Sequence, residues 1–355
     1  MDRVSATSLE SFAQHAIEAF GADAETAEIV ASSLVTADLV GHTSHGCVRL
    51  PYYAQQVEDG AVDPTAAPVV ESAGEFDQLA GNSAFGQLTG HRAVELLVDG
   101  AREHGIGVAG IRDSGHLGRI GEWAERVVEE GFLFVSWVNL QGGSHRIAPP
   151  GTAARRLGTN PVTFGVPTFG ALPFPLVFDA ATSQVAHGKI IERDGSDERL
   201  PDAWTITESG DPVERAADFE DGAGALLPLG GRESGYKGFG LAVVAELFAA
   251  IVGDGPVATR ERQDWAGNGG AFIALDPSLF TSPEDVRTRV ESLAAHLRSA
   301  EPIGDEPVLL PGEPEHRTAV ERRADGIPVE ANVGAELRAL ATHYDLVSEL
   351  PSSLG

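Results

Sequence analysis

One cysteine, Cys47, occurs in the 355 residues. That excludes an internal disulfide and any metal site built on several thiolates, and a lone buried thiol is its expected state. Lysine is nearly absent as well: Lys189 and Lys237 are the two present, and the other basic side chains are arginine. Aromatic residues make up 6% of the chain. No apolar run reads as approaching the ~20 residues of a membrane span. The segment up to Ala22 carries acid and lacks the cationic-then-apolar order of a secretory signal, so the cytoplasm is the expected location. Positive charge is short throughout, with 53 acidic residues against 25 basic ones and a net charge of −28. That sign opposes binding to nucleic acid or to an anionic membrane. The acid is dispersed rather than gathered into a tail, so it is not a disordered appendage. Dispersed acid with almost no lysine points to a cytosol of high salt, where self-repulsion is screened. A chain that has otherwise dispensed with lysine makes Lys189 and Lys237 functional candidates.

What is present organises around one stretch, Gly41-His42-Thr43-Ser44-His45-Gly46-Cys47-Val48-Arg49-Leu50-Pro51. It offers imidazoles, a hydroxyl and a guanidinium between glycines. If a helix begins at Gly46, His45 and Arg49 share a face, because residues four apart do. An imidazole beside a fixed cation suits protonation of a carbonyl and capture of a carboxylate. The bland alternative is a helix start capped by Ser44, with Arg49 in solvent.

The length suggests two domains. Amphipathic spacing predicts helices opening at Thr7 or Ser8 and at Asp23, the second ending at Leu39, and a third over 48–57. A domain boundary is placed near residue 72. Beyond it the pattern is mixed. Helices are predicted over 85–103, 119–130, 235–252, 283–300 (with Ser282 as N-cap) and 328–344. Strands are predicted over 107–112, 132–139, 161–167, 176–181 and 270–275. The acid-rich stretch 192–221 reads as an exposed insertion. The 42 glycines exceed the usual share of about 7% and point to many loops defined by their backbone.

Gly105-Ile-Gly-Val-Ala-Gly110 matches the GxGxxG dinucleotide fingerprint on paper. The mechanism needs a strand before it and a helix opening at it. Here a helix precedes and a strand follows, so the match is a decoy. Ser114-Gly-His-Leu-Gly118 sits at a strand end before a helix, a position suited to an anion, with His116 at the sheet rim. Phe178-Asp-Ala-Ala-Thr-Ser183 ends another strand with an acid and two hydroxyls. Gly235-Tyr-Lys-Gly-Phe-Gly240 places Lys237 in a glycine-rich helix entrance, where a cation can meet phosphate or carboxylate. Arg155-Arg156 belongs to a structural turn.

Together these clusters resemble the malate/L-lactate dehydrogenase family of the non-Rossmann type. The resemblance rests on GHTSHGCVRLPYY, SGHLGRIGEWAE, APPGTAARRLGTNPVTFGVPT, FDAATSQVAHGK, GALLPLGG, YKGFGLA and LPGEPE, in order, across most of residues 1–340. It implies an α+β fold that is not a Rossmann fold: a helical domain from both chain ends, 1–72 with about 280–355, against a mixed, mostly antiparallel sheet domain over 73–279. It also implies a homodimeric oxidoreductase using NAD or NADP on 2-oxo or 2-hydroxy acids. Carried over by position, the family's catalytic imidazole falls on His45, supported by Ser44, with Arg49 in the site. Some members are instead assigned a base at the histidine corresponding to His116. Cofactor contacts would fall on His116, Leu117, Gly118, Arg119 and Ile120, on Asp179, Ala180, Ala181, Thr182 and Ser183, on Lys237, and on Gly312, Glu313 and Pro314. Lys189 after His187-Gly188 matches the hydroxy-acid branch, where the imine-reducing branch has an acid. Tyr236 stands where the family usually has histidine, and the loop 232–234 varies.

The chemistry expected is hydride transfer between nicotinamide and substrate C2, with His45 exchanging the proton on the C2 oxygen and Arg49 holding the carboxylate. His116 is the second candidate for the proton. Arg119 could serve a 2′-phosphate or face solvent. A metal-dependent hydrolase built on His42 and His45 is a rival, although that spacing is loose and no third ligand is adjacent. A cyclic-imine or diketo-acid reductase and a non-catalytic binder are the others.

Overall fold

The computed structural model describes residues 2–72, 76–143, 145–193, 198–259 and 267–355. The chain opens with β1 (Asp2–Val4), α1 (Ala6–Ala19) and α2 (Ala24–Leu39). Two short 3-10 turns, Thr43–His45 and Cys47–Arg49, then lead into α3 (Leu50–Glu58). The middle runs β2 (Val69–Ser72), β3 (Asp77–Ala80), α4 (Gly86–His104), β4 (Ile106–Ser114), α5 (Ile120–Glu129) and β5 (Leu133–Asn139). Next come β6 (Val162–Val166), β7 (Leu176–Ala180), α6 (Gly188–Ile191), β8 (Thr205–Ile206), α7 (Ala216–Glu220), β9 (Ala225–Leu226), α8 (Gly231–Gly253) and β10 (Asn268–Leu275). The chain closes with α9 (Pro283–Arg298), α10 (Glu313–Asp325), β11 (Ile327–Val329) and α11 (Ala331–His343).

Local chemistry sets the helix starts. Ser5 Oγ accepts the Ser8 N–H at 3.1 Å and Asp23 Oδ1 accepts that of Thr26 at 2.8 Å, each satisfying a donor that the first turn leaves open. The first cap is therefore Ser5, upstream of the expected Thr7 or Ser8, because Ser8 supplies the capped N–H. Ser282 caps α9 as expected. The two chain ends are tied by an antiparallel ladder, Asp2 opposite Val329 and Val4 opposite Ile327. Pro328 thus lies in a strand rather than opening the last helix. The sequence reading also missed α10.

Under that ladder Phe12, Ile17, Leu34, Leu50, Tyr53, Leu337 and Leu340 pack into one buried cluster. Each large apolar side chain there contributes roughly 1.5–3 kcal/mol by leaving water. A second cluster lies under the sheet, with Leu97, Ile111, Trp123, Val127 and Phe272 at its centre. α9 buries Val286, Val290 and Ala294 against Leu172 and Phe174 of the central segment, so it does not join the chain-end helices with which its position in sequence groups it.

The main sheet has the order β2-β3-β4-β10-β5-β6-β7. Only β3 and β4 run parallel; the other neighbours are antiparallel. A Cβ on Gly107 would lie 2.1 Å from the Leu97 carbonyl of α4, and one on Gly110 would lie 2.0 Å from the Val252 carbonyl of α8. Residues three apart face opposite sides of a strand, so helices press on both faces of β4. The GxGxxG run is explained by that close approach, with α4 before it and β4 through it.

Two expectations need correction. Part of the stretch 192–221 is packed rather than exposed: Leu200, Val213, Ala216 and Phe219 share a buried cluster with Ile147, Ile190 and Ala242 of α8, beside a β8–β9 ladder; residues 194–197 lie outside the described residues. The Arg155 guanidinium lies 4.1 Å over the Phe219 ring and donates to the Phe219 and Gly224 carbonyls, which closes that cluster. In addition, the 23-residue α8 is long and apolar enough to cross a bilayer. It lies on the sheet with Gly238, Ala242, Ala245 and Ala249 buried, and leaves Leu241, Val244, Phe248 and Ile251 exposed.

Candidate active site

The stretch 41–51 does not form the helix that would align His45 with Arg49. It makes two separate 3-10 turns broken at Gly46, and the tertiary structure supplies the convergence. Beneath the break lies the buried carboxylate of Asp38 from α2, whose Oδ2 accepts the Cys47 N–H at 2.8 Å. Burial raises the Asp38 pKa to about 6, against the lowering effect of the Cys47 hydrogen bonds and Arg322. Arg322 of α10 donates to the Asp38 carbonyl at 2.5 Å, so the last turn of α2 is held from both sides. Cys47 is buried, as expected of a lone thiol.

From this base Ser44 Oγ lies 3.2 Å from His45 Nδ1, and Arg49 Nε donates to the Ser44 carbonyl at 2.6 Å. The Arg49 guanidinium stands 5.7 Å from the Tyr52 ring centre and forms no ion pair among the described residues. Ser44 and Arg49 line a cavity of about 550 Å³ whose far wall is β11 and α11.

His116 arrives from the other layer, at the end of β4. Its ring stacks on that of His45 with centroids 5.5 Å apart and planes 20° apart. Gly86 packs against the His116 carbonyl, and Asn268 accepts the Leu117 N–H at 2.8 Å. Tyr53 Oη lies 3.0 Å from His116 Nδ1 and accepts from Gln87 Nε2 at 2.6 Å. Desolvation, then the charges of His116, Arg49, His42 and Arg119, hold His45 well below the ordinary histidine value. Desolvation and Arg49 lower His116 to about 3. Both imidazoles are neutral without an anion beside them. His42 pairs with Glu315 of α10 at 3.3 Å rather than joining His45 as a metal ligand pair.

The other predicted residues fall in connected places. Leu117, Gly118, Arg119 and Ile120 lead into α5. There Asp179 Oδ2 accepts the Gly121 N–H at 2.7 Å and its Oδ1 accepts from Thr163 at 2.8 Å. A carboxylate of the chain itself therefore occupies the helix start that the sequence offers to an anion. Arg119 is buried in a two-pronged pair with Glu125, so it neither faces solvent nor offers a free cation to a 2′-phosphate. Ala180 pairs with Val162, Thr182 Oγ1 donates to the Thr159 carbonyl at 2.9 Å, and Ser183 Oγ donates to the Val185 carbonyl at 2.6 Å. From there the chain reaches Gly188, which packs directly against Ser44. Thr182 also accepts the Leu229 N–H at 2.9 Å, which links this segment to the start of α8 and to Lys237. Lys237 is exposed and unpaired by any carboxylate among the described residues. Gly312 caps α10, followed by Glu313 and Pro314. The Glu313 carboxylate is taken up by Arg298 at 2.8 Å, Arg317 at 2.6 Å and the Leu310 N–H at 3.2 Å. These hydrogen bonds outweigh its burial and hold it down at about 2. The carboxylates of Asp179 and Glu313 are satisfied within the chain, and Arg119 is paired with Glu125 while its Nε stays buried without a hydrogen-bond partner among the described residues.

The sequence reading gave no function to Tyr53, Gln87, Asp38 or Asn268. Tyr53 lies inside GHTSHGCVRLPYY, and a tyrosine pair in a chain with four tyrosines is the available signal. Gln87, Asp38 and Asn268 carry no local pattern that distinguishes them.

A sequence profile described as malate/L-lactate dehydrogenase matches residues 4–338. The chain is 32% identical over 335 residues to hydroxycarboxylate dehydrogenase B of Escherichia coli (strain K12), covering 93% of this chain and 91% of that one. Its fold is similar to the solved malate dehydrogenase of Pyrococcus horikoshii OT3, with a TM-score of 0.84 and 29% identity over 96% of this chain and 95% of that one. It is also similar to delta1-piperideine-2-carboxylate reductase from Pseudomonas syringae, with a TM-score of 0.82 and 31% identity over 96% of this chain and all of that one, 100%.

Proposed function

The chain belongs to the malate/L-lactate dehydrogenase family, and from that membership we propose how its site works as a 2-hydroxy-acid dehydrogenase. The observation that carries the reading is the stacked pair of neutral imidazoles, His45 and His116, beside Arg49, whose guanidinium lacks a carboxylate partner among the described residues. Arg49 supplies the counter-charge for the substrate carboxylate and orients the 2-oxo group. Ser44 holds Nδ1 of His45 and leaves Nε2 for the C2 oxygen. A substrate carboxylate arriving at Arg49 offsets the cations that depress His45, so binding itself raises the imidazole pKa toward a value useful for proton exchange.

A bound NAD or NADP supplies or accepts the hydride. The residues fit such a group through the exposed Lys237 at the start of α8, with the segments 117–120 and 179–183 alongside, where the Leu117 and Thr182 N–H groups are already donated within the chain. The same reading includes a cytosolic location, tolerance of high salt, and a two-domain division in which both chain ends form the helical part. The cluster that joins residues 4–62 to residues 327–354 supports the pairing of the two chain ends, whereas α9 packs on the central segment. It also includes a homodimer. The exposed side chains Leu241, Val244, Phe248 and Ile251 of α8 support it, since they form an apolar seam in a chain of net charge −28.

The test is a panel of 2-oxo acids with NADH and with NADPH in molar KCl, followed by the reduced-nicotinamide absorbance. Turnover of open-chain 2-oxo acids supports the reading. Turnover of cyclic imines alone would favour the imine reductase that the Pseudomonas relative represents. No turnover of either would reject a dehydrogenase.

A further inference from the structure

The two imidazoles are alike in one respect and different in another. Each has Nδ1 next to a hydroxyl, Ser44 Oγ for His45 and Tyr53 Oη for His116. They differ in what lies behind that hydroxyl. Tyr53 Oη already accepts a hydrogen bond from Gln87 Nε2 at 2.6 Å, inside the protein. With that bond accepted, the phenolic O–H is free to be donated to His116 Nδ1. Ser44 Oγ has no other hydrogen-bond partner among the described residues, so it can turn to donate to His45 Nδ1 or accept from it.

We propose that Tyr53, set by Gln87, is a positioning residue that locks His116 with its ring proton on Nε2, making His116 a fixed hydrogen-bond donor to the substrate C2 oxygen and leaving proton exchange to His45.

A neutral imidazole has one N–H and one lone pair. An O–H donated to Nδ1 occupies the lone pair, so the N–H is at Nε2. Tyr53 keeps its proton, because burial pushes the phenol up to about 12. The groups acting on His45 are His116, Arg49, His42 and Arg119, and those around His116 are Arg49 and Tyr53. No carboxylate among them favours a cationic ring, and two stacked imidazoliums 5.5 Å apart would repel. One ring of the pair can therefore hold the extra proton at a time, and Ser44 leaves His45 free to be that ring. As the carbonyl electron pair moves onto the C2 oxygen, the His116 Nε2–H stabilises the charge and stays on nitrogen, while His45 Nε2 delivers the proton that completes the hydroxyl. A neutral imidazole is an effective electrophile of this kind, since it donates without having to be charged.

The tautomer is independent of turnover, whereas the division of labour rests on the dehydrogenase reading. The experiment separates the two. Ring ¹⁵N shifts of [¹⁵N]histidine-labelled protein without cofactor, with His116 assigned by the His116→Gln spectrum, should show an unprotonated Nδ1 and a protonated Nε2. Tyr53→Phe should return His116 to a mixture of tautomers and lower kcat about tenfold, the kinetic equivalent of one neutral hydrogen bond, with KM nearly unchanged. The ionisation in the pH–rate profile should survive His116→Gln and disappear in His45→Gln. A protonated Nδ1 on His116 in the wild-type protein would overturn the lock even if Tyr53→Phe failed to fold. An ionisation that survives His45→Gln and vanishes in His116→Gln would overturn the assignment of the proton to His45. Failure of every 2-oxo acid to turn over would count against the dehydrogenase reading and leave the ¹⁵N result standing.

Discussion

Gly46 rests directly on the carboxylate of Asp38: a Cβ at position 46 would lie 1.9 Å from Oδ1. The helix α2 thereby dictates the shape of the turn that separates His45 from Arg49. A glycine in a motif read from sequence as chemistry is here a requirement of packing.

Gly46→Ala should displace that turn. The expected result is a loss of stability of about 1–3 kcal/mol in urea unfolding, as for other overpacked sites, together with a large fall in kcat/KM. An alanine variant with wild-type kinetics would show that the Asp38 contact does not set the site.

Asp38→Asn keeps an acceptor for the Cys47 N–H and removes a buried charge. Because the folded-state pKa of Asp38 is raised to about 6 from 3.8, the folded protein holds this proton more tightly than the unfolded chain. Wild-type stability relative to the variant therefore falls as pH rises from about 4 to about 6 and levels off above. The variant should gain up to about 3 kcal/mol at neutral pH and nothing below pH ~4. Asp38→Ala should lose stability across the range. Thermal melts at several pH values distinguish these patterns.

The depressed pKa of His45 places the acid limb of kcat/KM for hydroxy-acid oxidation below the ordinary histidine value of about 6.5, because the free enzyme holds the imidazole neutral, ready to act as base, down to lower pH. Oxo-acid reduction, which needs the protonated ring, should instead lose kcat/KM steadily as pH rises through the same region. A limb near 6.5 in the oxidation profile would contradict the crowding of cations around His45.

Arg49→Gln should raise KM for every 2-oxo acid by roughly a hundredfold, the cost of one charge-assisted pair. Arg49→Lys should recover part of this, since a lysine keeps the charge and loses the planar fork. Steady-state kinetics across the substrate panel provide the check.

The exposed seam of α8 predicts assembly and salt dependence together. Val244→Asp with Ile251→Asp should convert a dimer to monomer in analytical ultracentrifugation while leaving helix content unchanged. In wild-type protein both melting temperature and activity should rise from dilute buffer to molar KCl, as the screening length falls from about 10 Å to about 3 Å. A flat salt response would separate the acidic composition from any adaptation to salt.

Much of this protein was legible in the chain itself. Apolar periodicity located α2, α4, α5 and α8, and apolar runs located the principal strands, because local residue order fixes which side chains can be buried. Order and spacing of motifs identified the family, and the helix-before-strand context of residues 105–110 ruled out a Rossmann half. Other features depended on partners beyond the local pattern. β11 is a strand because β1 lies beside it, across most of the chain's length. Arg119 reads from sequence as a cation for a 2′-phosphate or for solvent, and Glu125, six residues on, takes up its guanidinium. The convergence of His45 with Arg49 was inferred from helical spacing, and it arises instead from two irregular turns shaped by a buried aspartate. His45 meets His116 only because the end of β4 is brought against the layer made by the chain ends.

By itself the sequence determined composition, periodicity and the kinds of groups available for chemistry, since these depend on neighbours within a few residues. Which groups touch, which carboxylates are already satisfied, and which hydroxyl lies against each imidazole were decided by the tertiary structure. Burial and through-space contact set hydrogen-bond direction and proton affinity, and neither is encoded at a single position.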